Sequence, residues 1–539
     1  MDIVENLKQK IANSLAKLGH EVALTDIIIE KSKDETHGDY ASNVAMKFAR
    51  LFDKSPREVA TLIIASVDMA DIEKIEIAGP GFINFFMKHD SLQAIVKKVI
   101  ELDENYGRSP RKNLKVNVEF VSANPTGLLH VGTARGAAIG DSICRLLDYA
   151  GYDVTREYYI NDAGSQITNL ALSIQARYRQ ALGLEGVIPE DGYEGQDIID
   201  IAKQIKEEIG DAALHMEDAV DYFKEKGMKF ELDRIVEDLN TFRVKFDVFS
   251  SEKAIRANDA IEKEIAFLKD YTYVQDGAVF LKTSAFLDDK DRVIVKSNGE
   301  YTYFMPDICY HVNKMARGYD FIIDVLGADH HGYITRMKSA LMMHGYKEDT
   351  LHIELIQMVR FLKDGQEFKA SKRKGDAITL RDICEEVGVD AMRYFFAMRA
   401  ASTHLDFDMN LAIEQSSNNP VYYAQYAHAR LCSILEQGKN IAVDETGQML
   451  AESSEINLLK HLVSFTNVVS DAAKEKAPYK ITNYIRSLAE LVHVFYNECR
   501  VIDRDNPQLC GSRLALVKAC KIVLKNSLAL IGVSAPTHM

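Results

Sequence analysis

The sequence predicts an α/β protein whose central unit is a doubly wound parallel, Rossmann-like sheet. Three observations predict it: a strand–loop–helix unit at 116–151, a second strand directly after it at 154–160, and a buried apolar strand at 321–326. A chain of 539 residues is too long for one core. We therefore expect an N-terminal α/β domain before the sheet, a helical insertion within it, and a C-terminal all-α helical bundle after it.

The rest of the chain is organised around residues 116–141. Apolar and polar residues alternate over 116–120, as in a short strand, and residues 122–127 are turn formers. From about His130 the pattern becomes helical, and Gly132 keeps the first turn narrow. The free N–H groups and positive dipole end of such a helix suit phosphate, and glycine lets a ligand approach the backbone. This unit predicts a phosphate site to which His130 contributes.

Composition bounds the class of protein. The hydrophobic fraction of 47% and the charged fraction of 27% are ordinary for a globular chain, and no apolar run is long enough for a membrane span. The first residues predict an amphipathic helix with acids, not a signal peptide. Seven scattered cysteines without a CxxC pair indicate neither a zinc site nor a disulfide framework, and they fit a reducing cytoplasm. The net charge of −15 does not by itself favour nucleic acid.

Residues 1–105 predict a separate α/β domain. A helix opens it, and a strand is expected over 24–32. Ser55 and Pro56 are typical of a helix start, with serine as the cap and proline in the first turn. Residues 79–86, GPGFINFF, predict a turn that leads into a strand.

The segment from 167 to about 268 is mostly acidic amphipathic helix, which predicts an insertion between the two halves of the sheet. The second half of the sheet is expected to start near 270, with strands at 278–281 and 293–295. The buried strand at 321–326 ends in an Asp-His-His sequence. This sequence predicts no metal site, because neighbouring side chains on an extended segment point apart and no third ligand has the spacing of a zinc site. After about residue 376 the chain is nearly all helical, with a helix starting at Asn419 and Pro420.

A flexible cluster of cations with a hydroxyl follows a predicted loop at 363–366. It contains Lys369, Ser371 and Lys372 within the sequence KASKRKG. Taken alone, such a cluster is typical of an ordinary basic surface loop. It gains meaning from its place about 240 residues after the phosphate site.

Two motifs together resemble those of a known family. HVGT at 130–133, after PTG at 125–127, resembles the HIGH signature of class I aminoacyl-tRNA synthetases, and KASKR at 369–373 resembles their KMSKS loop. The wider string with Glu119, Asn124 and Arg135 resembles the arginyl-tRNA synthetase version. The strings HGDYASNVAM, GPGFINF, GADHHGY, YAQYAHAR and GVSAPTHM are similar to others in that family. One departure is Thr133, where the signature usually ends in His.

The resemblance implies roles for residues by position. The implied catalytic residues are His130, Lys369, Ser371 and Lys372. The implied ATP-binding residues are Pro125, Thr126, Gly127, His130, Gly132, Thr133, Gly327, Asp329, His330, Lys369 and Lys372. The implied arginine-binding residues are Glu119, Ser122, Asn124, His130, Tyr303, Asp307 and His331. The implied tRNA-binding residues are Asn84, Tyr423, Tyr426 and Met539. Carboxylates suit a guanidinium, and Asp307 follows Tyr303 by four residues, so the two can share a helix face.

The resemblance also implies a domain order. A tRNA-contacting domain is expected at 1–105, a class I catalytic domain at 112–376, connecting helices at 377–418 and an anticodon-binding domain at 419–539. The implied reaction joins L-arginine to its tRNA at the expense of ATP, with Mg²⁺ accompanying ATP, and it passes through an arginyl-adenylate. The expected partners are tRNA, L-arginine and ATP, with no membrane, and the expected state is a cytoplasmic monomer.

Two alternatives stay open at this point. A small adenylyltransferase also has His-x-Gly at a helix start, but such enzymes lack the N-terminal domain and the long helical C-terminal region. A catalytically silent RNA-binding relative is the other alternative. Its phosphate-binding motifs should have decayed, whereas His130, Lys369 and Lys372 are present here.

Overall fold

The computed structural model describes residues 3–32, 37–257, 259–368, 378–503 and 505–539. Its N-terminal unit contains, in chain order, α1 (Ile3–Lys17), β1 (Glu30–Lys31), β2 (Tyr40–Ser42), α2 (Val44–Phe48), α3 (Pro56–Ser66), β3 (Ile72–Ala78), β4 (Phe82–Met87) and α4 (His89–Leu102). The four strands form an antiparallel sheet in the order β1-β2-β4-β3.

Local signals in this unit act largely as predicted. The Ser55 hydroxyl accepts a hydrogen bond from the Glu58 amide, and Pro56 opens α3, so the predicted helix start is confirmed. The turn at 79–81 joins β3 to β4, as predicted. The strand expected over 24–32 is wrong for most of its length, because its partner β2 is short and only β1 pairs with it.

The central unit is built on a parallel sheet. Its elements are β5 (Lys115–Glu119), α5 (Val131–Tyr149), β6 (Asp153–Ile160), α6 (Ser165–Ala181), α7 (Gln196–Ile209), α8 (Ala219–Thr241), β7 (Val248–Ser251), α9 (Glu252–Ile255), α10 (Ala260–Phe267), β8 (Thr272–Gln275), β9 (Ala278–Leu281), β10 (Arg292–Val295), α11 (Phe304–Ala316), β11 (Phe321–Gly327), α12 (Tyr333–Met343) and β12 (Leu351–Ile356). Five strands run parallel in the order β12-β11-β5-β6-β7, which confirms the predicted fold class.

One expectation about this sheet holds in part and another is wrong. The helical insertion forms as α6, α7 and α8, but the predicted bounds of 167–268 are too wide, because they include β7, which pairs with β6 and forms one edge of the parallel sheet. The strands predicted at 278–281 and 293–295 do form, as β9 and β10, but with β8 they make a separate antiparallel sheet. A strand pattern shows only that a segment is extended, whereas its partner is set by contacts distant in sequence.

The next segment leads from the sheet to the helical region. It contains β13 (Val359–Lys363), β14 (Gln366–Glu367), α13 (Leu380–Val387), α14 (Val389–Ala397), β15 (Leu405–Asp408) and α15 (Met409–Ile413). The predicted loop at 363–366 is the hairpin between β13 and β14, where Asp364 and Gly365 have positive φ.

The C-terminal unit is the predicted all-α bundle. It consists of α16 (Pro420–Gln437), α17 (Ser453–Glu475), α18 (Tyr479–Glu498) and α19 (Pro507–Leu530). The bundle packs against α5, whose buried residues number fourteen of nineteen, so α5 is a core helix on nearly all sides. No helix in the described part of the chain is long and apolar enough to cross a membrane.

Candidate active site

The first predicted motif forms the N-terminal end of α5, beside the carboxyl end of β5. His130 is the N-cap residue, and its Nδ1 accepts a hydrogen bond from the Gly132 amide at 2.9 Å. A ring nitrogen that accepts must be unprotonated, so in the neutral ring Nε2 carries the proton. The exposed His130 side chain therefore presents an N–H donor next to the free amides of α5.

Thr133 stands at the position where the family signature usually ends in His. Its hydroxyl donates to the carbonyl oxygen of His130 at 2.8 Å, and its amide donates to the same oxygen at 3.0 Å. The threonine thus closes the first turn of α5. Its side chain takes part in the cap of the helix that presents His130.

The loop between β5 and α5 has an unusual backbone. Val121 and Ser122 have φ of 70° and 41°, in the left-handed region that valine in particular rarely adopts. Asn124 donates to the Gln166 side chain at 2.7 Å, which ties the loop to the start of α6. The buried Pro125 follows, and then Thr126 and Gly127 lead towards His130.

The segments that flank the second motif meet the first motif. The Val131 amide donates to the Ile378 carbonyl at 2.9 Å, and the Leu380 amide donates to the Leu129 carbonyl at 2.8 Å. Phe368, Ile378, Gly127 and His130 line one cavity of about 830 Å³. Its other lining residues come from α7, α8 and α13 and from the segment before α7.

Lys369, Ser371 and Lys372 lie outside the described residues.

Asp307 in the first turn of α11 is half-buried. Burial raises its pKa to about 6, and the negative charges of Glu119 and Glu252 act in the same direction, against a hydrogen bond from Tyr333 and the charge of His311. Within the described parts of the chain, no cation forms an ion pair with it. Tyr303, just before α11, is 87% exposed. The structure therefore offers one desolvated carboxylate for a cationic ligand.

Glu119 at the end of β5 is buried and already engaged. Its Oε1 accepts from the Ser122 hydroxyl at 3.0 Å, and its Oε2 accepts from the Nζ of Lys314. Two predicted arginine-binding residues, Glu119 and Ser122, are thus brought together.

The predicted residues after β11 divide between two places. Gly327 ends the strand, and the exposed Asp329 and His330 follow it, with Oδ2 and Nε2 3.7 Å apart. His331 lines a groove of about 370 Å³ with Glu354, a groove that also contains the turn between α17 and α18.

The predicted tRNA-binding residues lie in two units. Asn84 is buried within β4 of the N-terminal sheet, with 4% of its surface exposed. Tyr426 and Met539 line one cavity of about 800 Å³ together with Arg430. Tyr423 lies close by but is half-buried, and its ring centre is 4.8 Å from that of a histidine on α18.

Comparison with known proteins decides the family. Three family models match the chain: Arginyl tRNA synthetase N terminal domain at 5–87, tRNA synthetases class I (R), catalytic domain at 95–433, and DALR anticodon binding domain at 424–539. The chain belongs to the arginyl-tRNA synthetase family. The resemblance predicted from the motifs is confirmed.

Relatives and solved structures agree with this assignment. The arginine–tRNA ligases of Bacillus subtilis (strain 168) and Bacillus velezensis are each 50% identical to this chain, and the alignments cover 100% of both partners. A crystal structure of a putative arginyl-tRNA synthetase from Campylobacter jejuni is 35% identical, covers 84% of this chain and 100% of its own, and has a TM-score of 0.78. The Thermus thermophilus arginyl-tRNA synthetase, at 21% identity, covers 100% of both chains with a TM-score of 0.79 and supports the fold.

Sequence reasoning missed four residues that surround the predicted set. Lys314 contacts Glu119, and His311 and Tyr333 contact Asp307. Asp324 of β11 pairs with Lys314 and His311. Asp324 gave one signal, since a carboxylate inside the apolar strand FIIDVL needs a partner. Lys314 gave none, because a lysine in an amphipathic helix is normally exposed.

Gly132 allows a test of how the synthetase presents His130. A Cβ on Gly132 would lie 2.8 Å from Nδ1 of His130, so Gly132→Ala displaces the imidazole and breaks its hydrogen bond. We expect the rate of arginyl-adenylate formation to fall about 10- to 100-fold if His130 has its predicted catalytic role, because the ring is moved by about 1 Å. Single-turnover adenylate formation measures this.

Gly136→Ala is the matched control. Nothing lies within 4 Å of a Cβ at Gly136, and alanine favours a helix by about 0.5–1 kcal/mol over glycine. This variant should keep the wild-type rate. Equal rates in the two variants would contradict the role of the His130 ring position.

Proposed function

We propose that this chain attaches L-arginine to its tRNA in two steps at the expense of ATP. The observation that carries the proposal is the desolvated carboxylate of Asp307, which forms no ion pair among the described residues and lies close enough to Glu119, at the end of β5, for the two charges to interact. The loop after β5 leads to the helix capped by His130. The relatives that are 50% identical over the full chain are named arginine–tRNA ligases, which supports the same reaction.

In the first step the arginine carboxylate attacks the α-phosphorus of ATP. A carboxylate oxygen–phosphorus bond forms, the bond to the bridging oxygen breaks, and pyrophosphate leaves with its electron pair. We assign the Nε2–H of His130 and the free amides of α5 to the phosphates. Lys369 and Lys372 would meet the charge that develops on pyrophosphate, Ser371 would fix their loop, and Mg²⁺ enters as part of the ATP substrate.

In the second step a ribose hydroxyl of the terminal adenosine of tRNA attacks the carbonyl carbon of the adenylate. An ester bond forms, AMP leaves, and the hydroxyl proton passes to solvent. Stacking of unpaired bases on Tyr426, together with the neighbouring Arg430 and Met539, suits a tRNA loop in the 800 Å³ cavity. Asn84 is proposed as a second contact, which requires the tRNA to reach a side chain that is 4% exposed.

Selection of arginine follows from charge. A guanidinium supplies paired N–H donors and a permanent positive charge, so it restores the ionised state of Asp307 and compensates the burial of that carboxylate. Asn124 and Tyr303 are assigned to the other end of the amino acid. We further propose that the chain acts as a cytoplasmic monomer with the domain bounds given above.

ATP–pyrophosphate exchange tests this function. We expect exchange with arginine, none with the other amino acids, and a requirement for arginine-accepting tRNA, as the family resemblance implies. Brisk exchange with a different amino acid, or none with arginine and its tRNA, would overturn the proposal. The second of these results is also what a catalytically silent RNA-binding relative would give.

A further inference from the structure

Three acidic side chains form a row across the centre of the parallel sheet. Glu119 of β5 is in register with Glu157 of β6 and with Asp324 of β11. Side chains at equivalent positions of neighbouring strands leave a sheet on the same face, and all three carboxylates are buried. Carboxylates this close cannot all be ionised without cations.

Lys314 is the cation that joins two members of this row. Its side chain is fully buried, and its Nζ donates to Oε2 of Glu119 and, at 2.8 Å, to Oδ1 of Asp324. Burial lowers the pKa of Lys314, but the charges of Asp324 and Glu119 more than offset this and raise it above its ordinary value. Lys314 is therefore charged, and its two carboxylate partners are held in place.

His311 provides a second buried cation. Its Nε2 lies 2.7 Å from Oδ2 of Asp324, and its Nδ1 lies 2.7 Å from the carbonyl oxygen of Asp307. Both neighbours are acceptors, so both hydrogen bonds form only if the ring carries two protons. Lys314 and His311 together balance Glu119 and Asp324, and Arg317 pairs with Glu157, the third member of the row, at 2.7 Å. The charge left for a ligand is that of Asp307.

Glu119, which Lys314 holds in place, is also hydrogen-bonded to the turn after β5. Its Oε1 accepts from the Ser122 hydroxyl, and the Ser122 hydroxyl accepts from the Tyr159 amide at 3.0 Å. Val121 and Ser122 both have positive φ. Such a conformation persists only where its surroundings fix it. The turn leads directly into the loop of the first motif.

We propose that Lys314 is a positioning residue for the arginine site, acting through Glu119 to hold the 121–122 turn in the conformation that arginine binding needs. The inference rests on the proposed function, since it concerns the same site. Lys314 contacts no substrate in this scheme. Its effect reaches the ligand through the shape of the turn.

The test measures KM for arginine and for ATP in exchange with saturating tRNA. Lys314→Met removes the cation and keeps the length of the side chain. We expect the KM for arginine to rise at least about 10-fold and the KM for ATP to change less than about 2-fold. The reason is that the 121–122 turn contains Ser122, a predicted arginine-binding residue. The ratio of the variant's arginine KM to that of the wild type should shrink as pH falls from about 8.5 to about 6.5, because a proton shared between Glu119 and Asp324 replaces the missing cation.

Other charged and titratable groups face this cluster, and the ratio of the two KM values removes any contribution that is the same in both enzymes. They are Glu157 and Tyr159 of β6, Glu252 of α9, Asp307, Tyr310, His311 and Arg317 of α11, and Tyr333 of α12.

A second variant and a matched control separate positioning from loss of stability. Lys314→Met/Asp324→Asn removes one charge of each sign and leaves Glu119 as the acceptor for Ser122, so its arginine KM should return towards the wild type and lose the pH-dependent ratio. Lys10→Met removes another buried lysine, which pairs with Asp68 and Asp71 in the N-terminal unit, and should leave both KM values within about 2-fold.

Three results would overturn the inference: a wild-type arginine KM in Lys314→Met, the same KM change in Lys10→Met, or a double variant no better than the single one. If Lys314→Met does not fold, the double variant still tests the inference. Equal increases in its KM for arginine and its KM for ATP would contradict a positioning role for Lys314. Absence of arginine exchange in the wild type would instead reject the proposed function.

Discussion

Asp307→Asn raises the KM for arginine on the order of 100-fold and leaves the KM for ATP within about 3-fold of the wild type. Loss of one partner from a desolvated, hydrogen-bonded charge pair costs about 3 kcal/mol, and here the partner that remains is the substrate guanidinium. Asparagine keeps an acceptor for Tyr333, so the local packing is retained. Exchange kinetics with varied arginine and varied ATP measure the two constants.

The pH dependence of the same constant gives an independent check. The pKa of Asp307 is raised to about 6, so the wild-type KM for arginine should rise as pH falls through 6, where the carboxylate takes up a proton. In the Asp307→Asn variant, the KM for arginine should not rise as pH falls through 6. Because the charged carboxylate is desolvated, the ligand-free variant should also unfold at a higher temperature than the wild type at pH 7.

Asp406→Asn is the control for Asp307→Asn. Asp406 forms an exposed pair with Arg360 at 2.7 Å, and exposed pairs contribute little. Its KM values should match the wild type. Equal increases in the KM for arginine and for ATP in Asp307→Asn would remove Asp307 from the arginine site.

His130→Ala lowers the rate of adenylate formation about 100- to 1,000-fold. In the proposed mechanism the Nε2–H donor meets charge that develops on the phosphates, and removal of such a donor costs about 3–4 kcal/mol by analogy with oxyanion-hole variants. Substrate KM values should change far less. Rapid-quench measurement of adenylate in a single turnover gives the rate.

His130→Asn separates the phosphate role from the capping role. Asparagine is a good N-cap, so it can accept from the α5 amides while its short side chain withdraws from the ligand. We expect wild-type thermal stability with a rate as low as that of His130→Ala. Recovery of the rate in His130→Asn would mean that the imidazole matters only as a cap.

Sequence alone predicted the parts of the fold that depend on local signals. The strand, turn and helix around His130 follow from alternation, turn formers and helical spacing within one short segment, and all three form as predicted. The helix starts at Pro56 and Pro420 follow from capping residues in the same way. Such signals act over a few residues, so one sequence is enough to detect them.

The errors concern partners that are distant in the chain. β7 is a four-residue edge strand, too short for its alternation to stand out within a helical segment. β9 and β10 were detected as strands, but nothing local shows which sheet a strand joins. The charge balance at Lys314 depends on Glu119 and Asp324, which lie 195 and 10 residues away from it. The predicted roles of individual site residues remain predictions.

The strand order of the parallel sheet also bears on how the chain folds while it is being made. β5 lies in the middle of the sheet, yet its neighbour β11 begins about 200 residues later, and β12 ends at Ile356. At about 5–20 residues per second, a ribosome needs roughly 10–50 s to pass from the end of β5 to the end of β12. During that time the N-terminal unit can fold, but one edge of β5 has no partner strand. The apolar surface of α5 also stays uncovered until the C-terminal bundle has been synthesised. We therefore expect the nascent chain to be prone to aggregation during this interval, because an unpaired strand edge can pair with another chain.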